Sequence, residues 1–307
     1  MSASVCTIVR GRRAHLVNLM RGLARQRVRP AELVIGNLEG ESFVAALPPM
    51  PFPVREVVLR DDPLPYARGR NACAETATEE VLLFVDVDCI PGPGLVAALA
   101  GATAGATAPG TCTMTDVRYL RGDGPAPGAD FARDWVAAEA HPARRFGDWA
   151  LGDRPDPSVP APASDDPGRR ELLDPGEFWS TCFAIRREDF ERAGRFDERY
   201  AGYGGEDTDF GAALAAAGVR LFWTPAARAV HQWHAVQVPP LDALGSIVEN
   251  AARFREKHGR GCMEYWIDQF VAGGWAERDP AGGVRVLREP SADEREAARR
   301  GPDVAFS

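Results

Sequence analysis

The chain has 307 residues, with 36 Lys and Arg against 44 Asp and Glu and a formal charge of −8. That acidity excludes nucleic acid as the main partner, since a phosphate-binding surface needs a basic excess. An apolar share of 45% is ample for a buried core in one large domain with an appendage, or in two domains. Residues 4–10 turn basic too soon for a secretory signal, and the purest apolar run, residues 81–85, is far below a bilayer span. The expectation is a cytoplasmic protein with no transmembrane segment, which leaves peripheral membrane contact open. The six cysteines are scattered without a CxxC pair and read as reduced thiols, not a zinc or disulfide framework.

Residues 4–10 read as a buried strand, and Leu16, Leu19, Met20 and Leu23 recur on one helix face. Residues 32–36 and 53–59 are the next strands. A helix over about 70–78 precedes a fourth strand at 80–85. Alternating strands and helices predict a parallel, doubly wound α/β sheet, Rossmann-like, with helices on both faces. In such sheets ligands collect at the carboxyl ends of the strands. From Asp116 to Pro175 the pattern breaks, and residues 122–128 and 152–168 are crowded with Pro, Gly, Asp and Ser. This region is expected to be a mobile insertion holding a short helix that carries Phe131, Trp135 and Ala138. Phe131, Trp135 and Trp149 give it apolar faces suited to an acceptor-side lid.

Order resumes with a strand at 178–185, a helix from Arg187, a helix over 206–217 and a strand at 219–223. After Pro239-Pro240 come two helices, with stripes Leu244/Ile247/Val248/Ala251 and Met263/Trp266/Ile267/Phe270, then a hairpin through Gly282-Gly283. Residues 1–240 therefore read as one domain and 241–307 as a helical and hairpin extension. A DNA-binding role for that extension is disfavoured by its ten basic and twelve acidic side chains.

Four groups of residues carry chemistry. Asp86 and Asp88 stand two apart at the end of the most apolar strand, where side chains of an extended chain share a face; such oxygens can hold a divalent cation that clamps phosphates. Gly202-Tyr203-Gly204-Gly205 precedes Glu206, Asp207 and Asp209 at a helix start, which offers more acid than a cap requires and supplies a general base. His231 and His234 follow a strand, and either one as third ligand would favour Mn2+, or Mg2+ as the harder alternative, over Ca2+. Arg10 and Arg12 end the first strand, and Tyr66, Arg68, Arg70 and Asn71 precede the fourth. Guanidinium groups and a ring there can grip a diphosphate and stack on a base.

In this order the residues resemble the inverting glycosyltransferases of the GT-A fold, family 2, with motifs similar to the β-1,4-galactosyltransferases. Arg10-Gly11-Arg12-Arg13-Ala14-His15-Leu16 is similar to that family's nucleotide loop, and residues 84–91 to its Asp-Val-Asp metal motif. Residues 178–190 resemble the strand and helix before the catalytic loop, and residues 202–209 the Gly-Trp-Gly-Gly-Glu-Asp loop itself. The resemblance implies a hexose moved from a nucleoside-diphosphate sugar, UDP-linked, to a saccharide, lipid-linked or peptide acceptor. It implies Arg10, Arg12 and Arg68 near the nucleotide and Asp86 at the ribose. Asp88 and His231 fall on the metal, Asp207 becomes the base, and Glu206 positions the acceptor. Asn37, with Glu39, stands where many relatives read uracil through an aspartate, and Asn71 completes the donor set. Ser180-Thr181 replaces a Gly-Gly pair and Tyr203 a Trp. The competing readings are a non-catalytic sugar-nucleotide-binding protein and a sugar-nucleotide nucleotidyltransferase. The second would want a glycine-rich phosphate loop near the N-terminus.

Overall fold

The computed structural model describes residues 2–60, 64–104, 110–141 and 169–305. Strands β1 (Ser4–Val9), β2 (Glu32–Asn37), β3 (Val54–Val58) and β4 (Val81–Val85) form one side of the sheet, joined through helices α1 (Arg13–Ala24) and α2 (Tyr66–Thr76). β1, β2 and β4 are buried along their whole length, which is why each reads as a largely apolar run with no exposed alternate face. β1 pairs in parallel with both β2 and β4, so the strand order reverses at β1 and opens a crevice at the carboxyl ends of β1 and β4.

Beyond β4 lie β5 (Cys89–Pro91), α3 (Leu95–Ala104), β6 (Thr111–Tyr119), α4 (Phe131–Ala137), β7 (Glu139–Ala140) and β8 (Arg170–Leu172). These are followed by β9 (Cys182–Arg186), α5 (Arg187–Arg192), α6 (Glu206–Ala216) and β10 (Arg220–His231). The main sheet runs β3-β2-β1-β4-β9-β6-β10-β5 and is mixed rather than wholly parallel. β9 lies antiparallel between β4 and β6, and β5 pairs antiparallel with β10. An apolar strand reads the same in either direction. Only the route of the chain into the sheet decides the sense of pairing.

Period-two alternation sorts the core. Val5, Val9, Leu33 and Leu83 face α1 and α3, while Cys6, Ile8, Val34, Leu82 and Phe84 face α2, α5 and α6. The second face is aromatic, with Phe84 stacked on Phe183 at 4.8 Å and Phe196 on Phe210 at 4.2 Å. Phe210 thereby seats α6.

The broken region begins later than its composition predicts, because β6 carries Asp116–Tyr119 in register with Arg228–His231. The expected short helix is α4, capped by Asp130, with Phe131 and Trp135 stacked at 6.0 Å. Trp149 and the segment 142–168 lie outside the described residues.

At the C-terminus stand α7 (Leu244–His258), α8 (Glu264–Ala272), the hairpin β11 (Ala276–Arg278) with β12 (Val284–Val286), and an unforeseen α9 (Ala292–Ala298). Ser291 and Glu294 form a capping box at α9, a spacing legible in the sequence. These elements share their apolar cluster with Tyr200 of the first domain. Among the described residues no helix is long and apolar enough to cross a membrane. Phe210→Ala should lower unfolding free energy by about 3–5 kcal/mol in a denaturant titration, because a buried ring leaves a cavity that the cluster cannot fill.

Candidate active site

The register of β10 assembles one half of the site. Its second half pairs with β5 so that His231 lies opposite Cys89, and the Gln232 N–H donates to the Asp88 carbonyl at 2.7 Å. His231 is thus the last residue of a twelve-residue strand and does not lie beyond it. The shorter strand expected from sequence ended before Pro225, but β10 passes it by a register shift between Thr224 and Arg228. Asp88, His231 and His234 each offer a ligand atom within 4.8 Å of the others, and His231 stacks on Tyr119 at 4.7 Å.

Asp86 is not in this cluster. The Cys89 N–H donates to the Asp86 carbonyl at 2.8 Å and closes a turn, so the chain is not extended there and the two carboxylates part. Asp88 meets Arg12 and the Nδ1 of His15, with His234 Nε2 at 3.8 Å. Burial works against its charge, yet the His15 hydrogen bond and the neighbouring cations hold its pKa down at about 2. Burial drives His231 down to about 3 despite Asp88, which leaves the neutral imidazole that ligates metals. His231 Nδ1 is buried and lacks a hydrogen-bond partner, the situation a metal ion would relieve. The N,N,O donor set therefore fits a borderline divalent cation.

The other half is organised by Arg70. Its side chain is 7% exposed; Nη1 donates to Glu206 Oε1 at 3.0 Å, Nη2 to Asp86 Oδ1 at 3.2 Å, and the guanidinium lies 5.2 Å over the Phe196 ring. Burial opposes its charge, and Asp86 and Glu206 more than restore it. Asp86 is raised to about 6 by burial, against the pull of Arg70 and with repulsion from Asp88. Asp207, one residue beyond Glu206 in the first turn of α6, is raised to about 7 by burial and by Glu206, while Arg70 and the Thr208 N–H oppose the shift. A carboxyl poised in that range can take and release a proton near neutrality.

The remaining predicted residues divide. Arg12 joins the Asp88 cluster, whereas Arg10 and Arg68 are exposed. Asn37, at the end of β2, spends its side chain on the Glu41 carbonyl, Glu56 and the Glu39 N–H, so it shapes the loop after β2. Glu39 accepts from the Gly11 N–H at 3.0 Å and pairs with Arg13, tying that loop to the end of β1. Asn71 is committed to the backbone of Phe196 and to Glu198.

Sequence reasoning named Arg70 only as one of the guanidinium groups in the run 66–71 and gave it no role of its own. The signal was there, since Arg70 shares a helix face with Ala67 and Ala74. It also missed His15 and Gln232. Gln232 is fully buried, accepts from Asn18 at 2.8 Å and donates to the His15 carbonyl at 3.2 Å, locking α1 to the histidine segment. No local pattern reveals a contact of that separation.

A family model described as the N-terminal domain of galactosyltransferase matches residues 173–235, from the approach to β9 through Asp207 to the histidines. No curated protein matches the chain in sequence. Among solved structures, S. aureus TarS is similar at a TM-score of 0.51 and 14% identity, over 89% of this chain and 42% of that one. Its fragment 1-349 gives 0.50 and 14%, over 83% and 66%. GalNAc-T7, solved with UDP, GalNAc and Mn2+, gives 0.49 and 16%, over 89% and 57%. The chain thus spans between 42% and 66% of the length of these structures. At 14% identity the two TarS structures are like this chain in fold, which is of the GT-A type. The matched segment 173–235 is similar to the galactosyltransferase domain.

Arg70→Met should destabilise the protein by about 3 kcal/mol, near the lower end for breaking a buried ion pair because Asp86 keeps some solvent. Chemical denaturation of the variant measures this directly.

Proposed function

We propose that the protein is a metal-dependent, inverting glycosyltransferase of the family 2 type. It would move a hexose from a nucleoside-diphosphate sugar, UDP-linked, to the hydroxyl of a saccharide, lipid-linked or peptide acceptor. The observation that carries this reading is the approach of two groups at the strand ends. One is the Asp88/His231/His234 cluster and the other the Glu206–Asp207 pair, with Arg70 bound to Glu206 and to Asp86, two residues before Asp88. The matched segment 173–235 contains the acid pair and both histidines, which supports reading them as one unit. Residues 1–240 would form the catalytic domain and 116–175 its acceptor side. Six free, buried cysteines suit a reducing, cytoplasmic setting.

Asp88, His231 and His234 would hold a divalent cation such as Mn2+, which when bound neutralises charge developing on the departing diphosphate. Arg12 stands at the same cluster and supplies a fixed positive charge, with Arg10 and Arg68 at the rim of the crevice. Asp86 faces the ribose side. Glu206 is held by Arg70 and keeps the acid pair rigid. Tyr203, 45% exposed beside the pair, offers an aromatic face to an acceptor sugar. Asp207 takes the proton from the acceptor hydroxyl as its oxygen forms a bond to the anomeric carbon. The bond from that carbon to the diphosphate oxygen breaks on the opposite face, and the electron pair leaves with the diphosphate.

Chelation should abolish turnover and Mn2+ should restore it best, with Asp88→Asn, His231→Ala and His234→Ala each weakening the metal response in activity titrations. Full activity in excess chelator contradicts the metal assignment. Asp207→Asn should lower kcat by about a hundredfold to ten-thousandfold with the affinity for UDP nearly kept. Because a base acts deprotonated and this carboxyl is raised to about 7, wild-type kcat/KM should fall as pH drops below neutrality, far above an ordinary carboxylate limb. That limb should vanish in Asp207→Asn, and a larger loss in Glu206→Gln would reverse the assignment within the pair.

A further inference from the structure

The loop that presents Asp207 has little structure of its own. Gly202, Gly204 and Gly205 all adopt positive φ, at 74°, 90° and 89°, and α6 starts with no side-chain cap. Its order comes from outside. Asn250, on α7 and 1% exposed, donates from Nδ2 to the carbonyls of Ala201 at 3.0 Å and Gly204 at 2.8 Å. Its Oδ1 accepts from Arg253 at 2.8 Å, which fixes the amide orientation. Ser246 Oγ accepts from the Tyr203 N–H at 3.1 Å. Lys257 and His258, two turns along the same helix, each lie 2.7 Å from the buried carboxylate of Asp209.

Ser246, Asn250, Arg253 and Lys257 recur at i, i+4, i+7 and i+11, one polar stripe laid along the loop and α6. The contact is close enough to dictate composition. A Cβ on Gly202 would stand 2.5 Å from Ser246 Cβ, and one on Gly204 would stand 2.7 Å from Met263 Sδ at the start of α8. The glycines are thus required by the C-terminal helices as well as by their backbone angles.

We infer that α7 is the template on which the base-bearing loop is folded, with Asn250 as its principal positioning residue, so that residues 241–307 are a working part of the catalytic unit. The inference rests on the reading of Asp207 as the base. Removing the Asn250 amide leaves two loop carbonyls to water and lets the carboxyl drift from the acceptor, while the Asp88 cluster stays untouched.

The test uses the full chain. Turnover is read as hydrolysis of the fastest substrate among UDP-galactose, UDP-glucose and UDP-N-acetylglucosamine, and donor-site integrity as the Kd for UDP in the presence of Mn2+. Asn250→Ala should lower kcat by about tenfold to a hundredfold, as expected for a small misplacement of a reacting group, with the UDP Kd within about twofold of wild type. Ser246→Ala, a milder change read in the same way and decisive if Asn250→Ala fails to fold, should lower kcat by about threefold or more with UDP affinity kept. Wild-type kcat in a folded Asn250→Ala, while Asp207→Asn is inactive, overturns the template and leaves the base standing. Equal losses of kcat and UDP affinity overturn it as well, since they mark a general structural role. Activity surviving in Asp207→Asn removes the base assignment and the inference with it.

Discussion

Arg70 is buried where no isolated cation could remain, and its two partners arrive from opposite ends of the chain's logic. Asp86 directly follows the central strand β4, and Glu206 opens α6. A guanidinium in that position must be satisfied on both sides, so the distance between the end of β4 and the acid pair is set by the span of one planar group. The Phe196 ring beneath it belongs to the aromatic cluster that seats α6, which extends the constraint into the core. The same cation moderates both raised carboxyls, keeping Asp86 and Asp207 from the still higher values that burial alone would impose.

The Asp88/His231/His234 cluster depends on a different device, strand register. A short antiparallel strand following Asp88 pairs with the end of β10, and this pairing alone brings a histidine more than a hundred positions away beside that carboxylate. Gln232 then ties the histidine segment to α1, and α1 brings His15 and Arg12 to the same acid. Two independent supports, one of backbone and one of side chains, therefore converge on Asp88.

The C-terminal helices bear on the loop ahead of α6 as well as on the core. They share an apolar cluster with Tyr200 and supply hydrogen bonds to a glycine-rich loop that has none of its own to spare. The apolar cluster that holds Tyr200 continues past Pro239-Pro240 into these helices.

What the sequence alone determined is whatever periodicity or short-range spacing expresses: the buried strands β1, β2 and β4, the stripe of α1, the helix opening at Glu206 and the hairpin at Gly282-Gly283. Apolar alternation and turn chemistry act over a few residues, so they are written locally. The tertiary structure decided the rest. It set the antiparallel entry of β9, the parting of Asp86 from Asp88 in a turn, the pairing of Arg70 with Asp86 and Glu206, and the employment of Asn37 and Asn71 on loops. Each of these depends on which distant group is waiting when a side chain is buried, and burial brings together partners that no sequence spacing records.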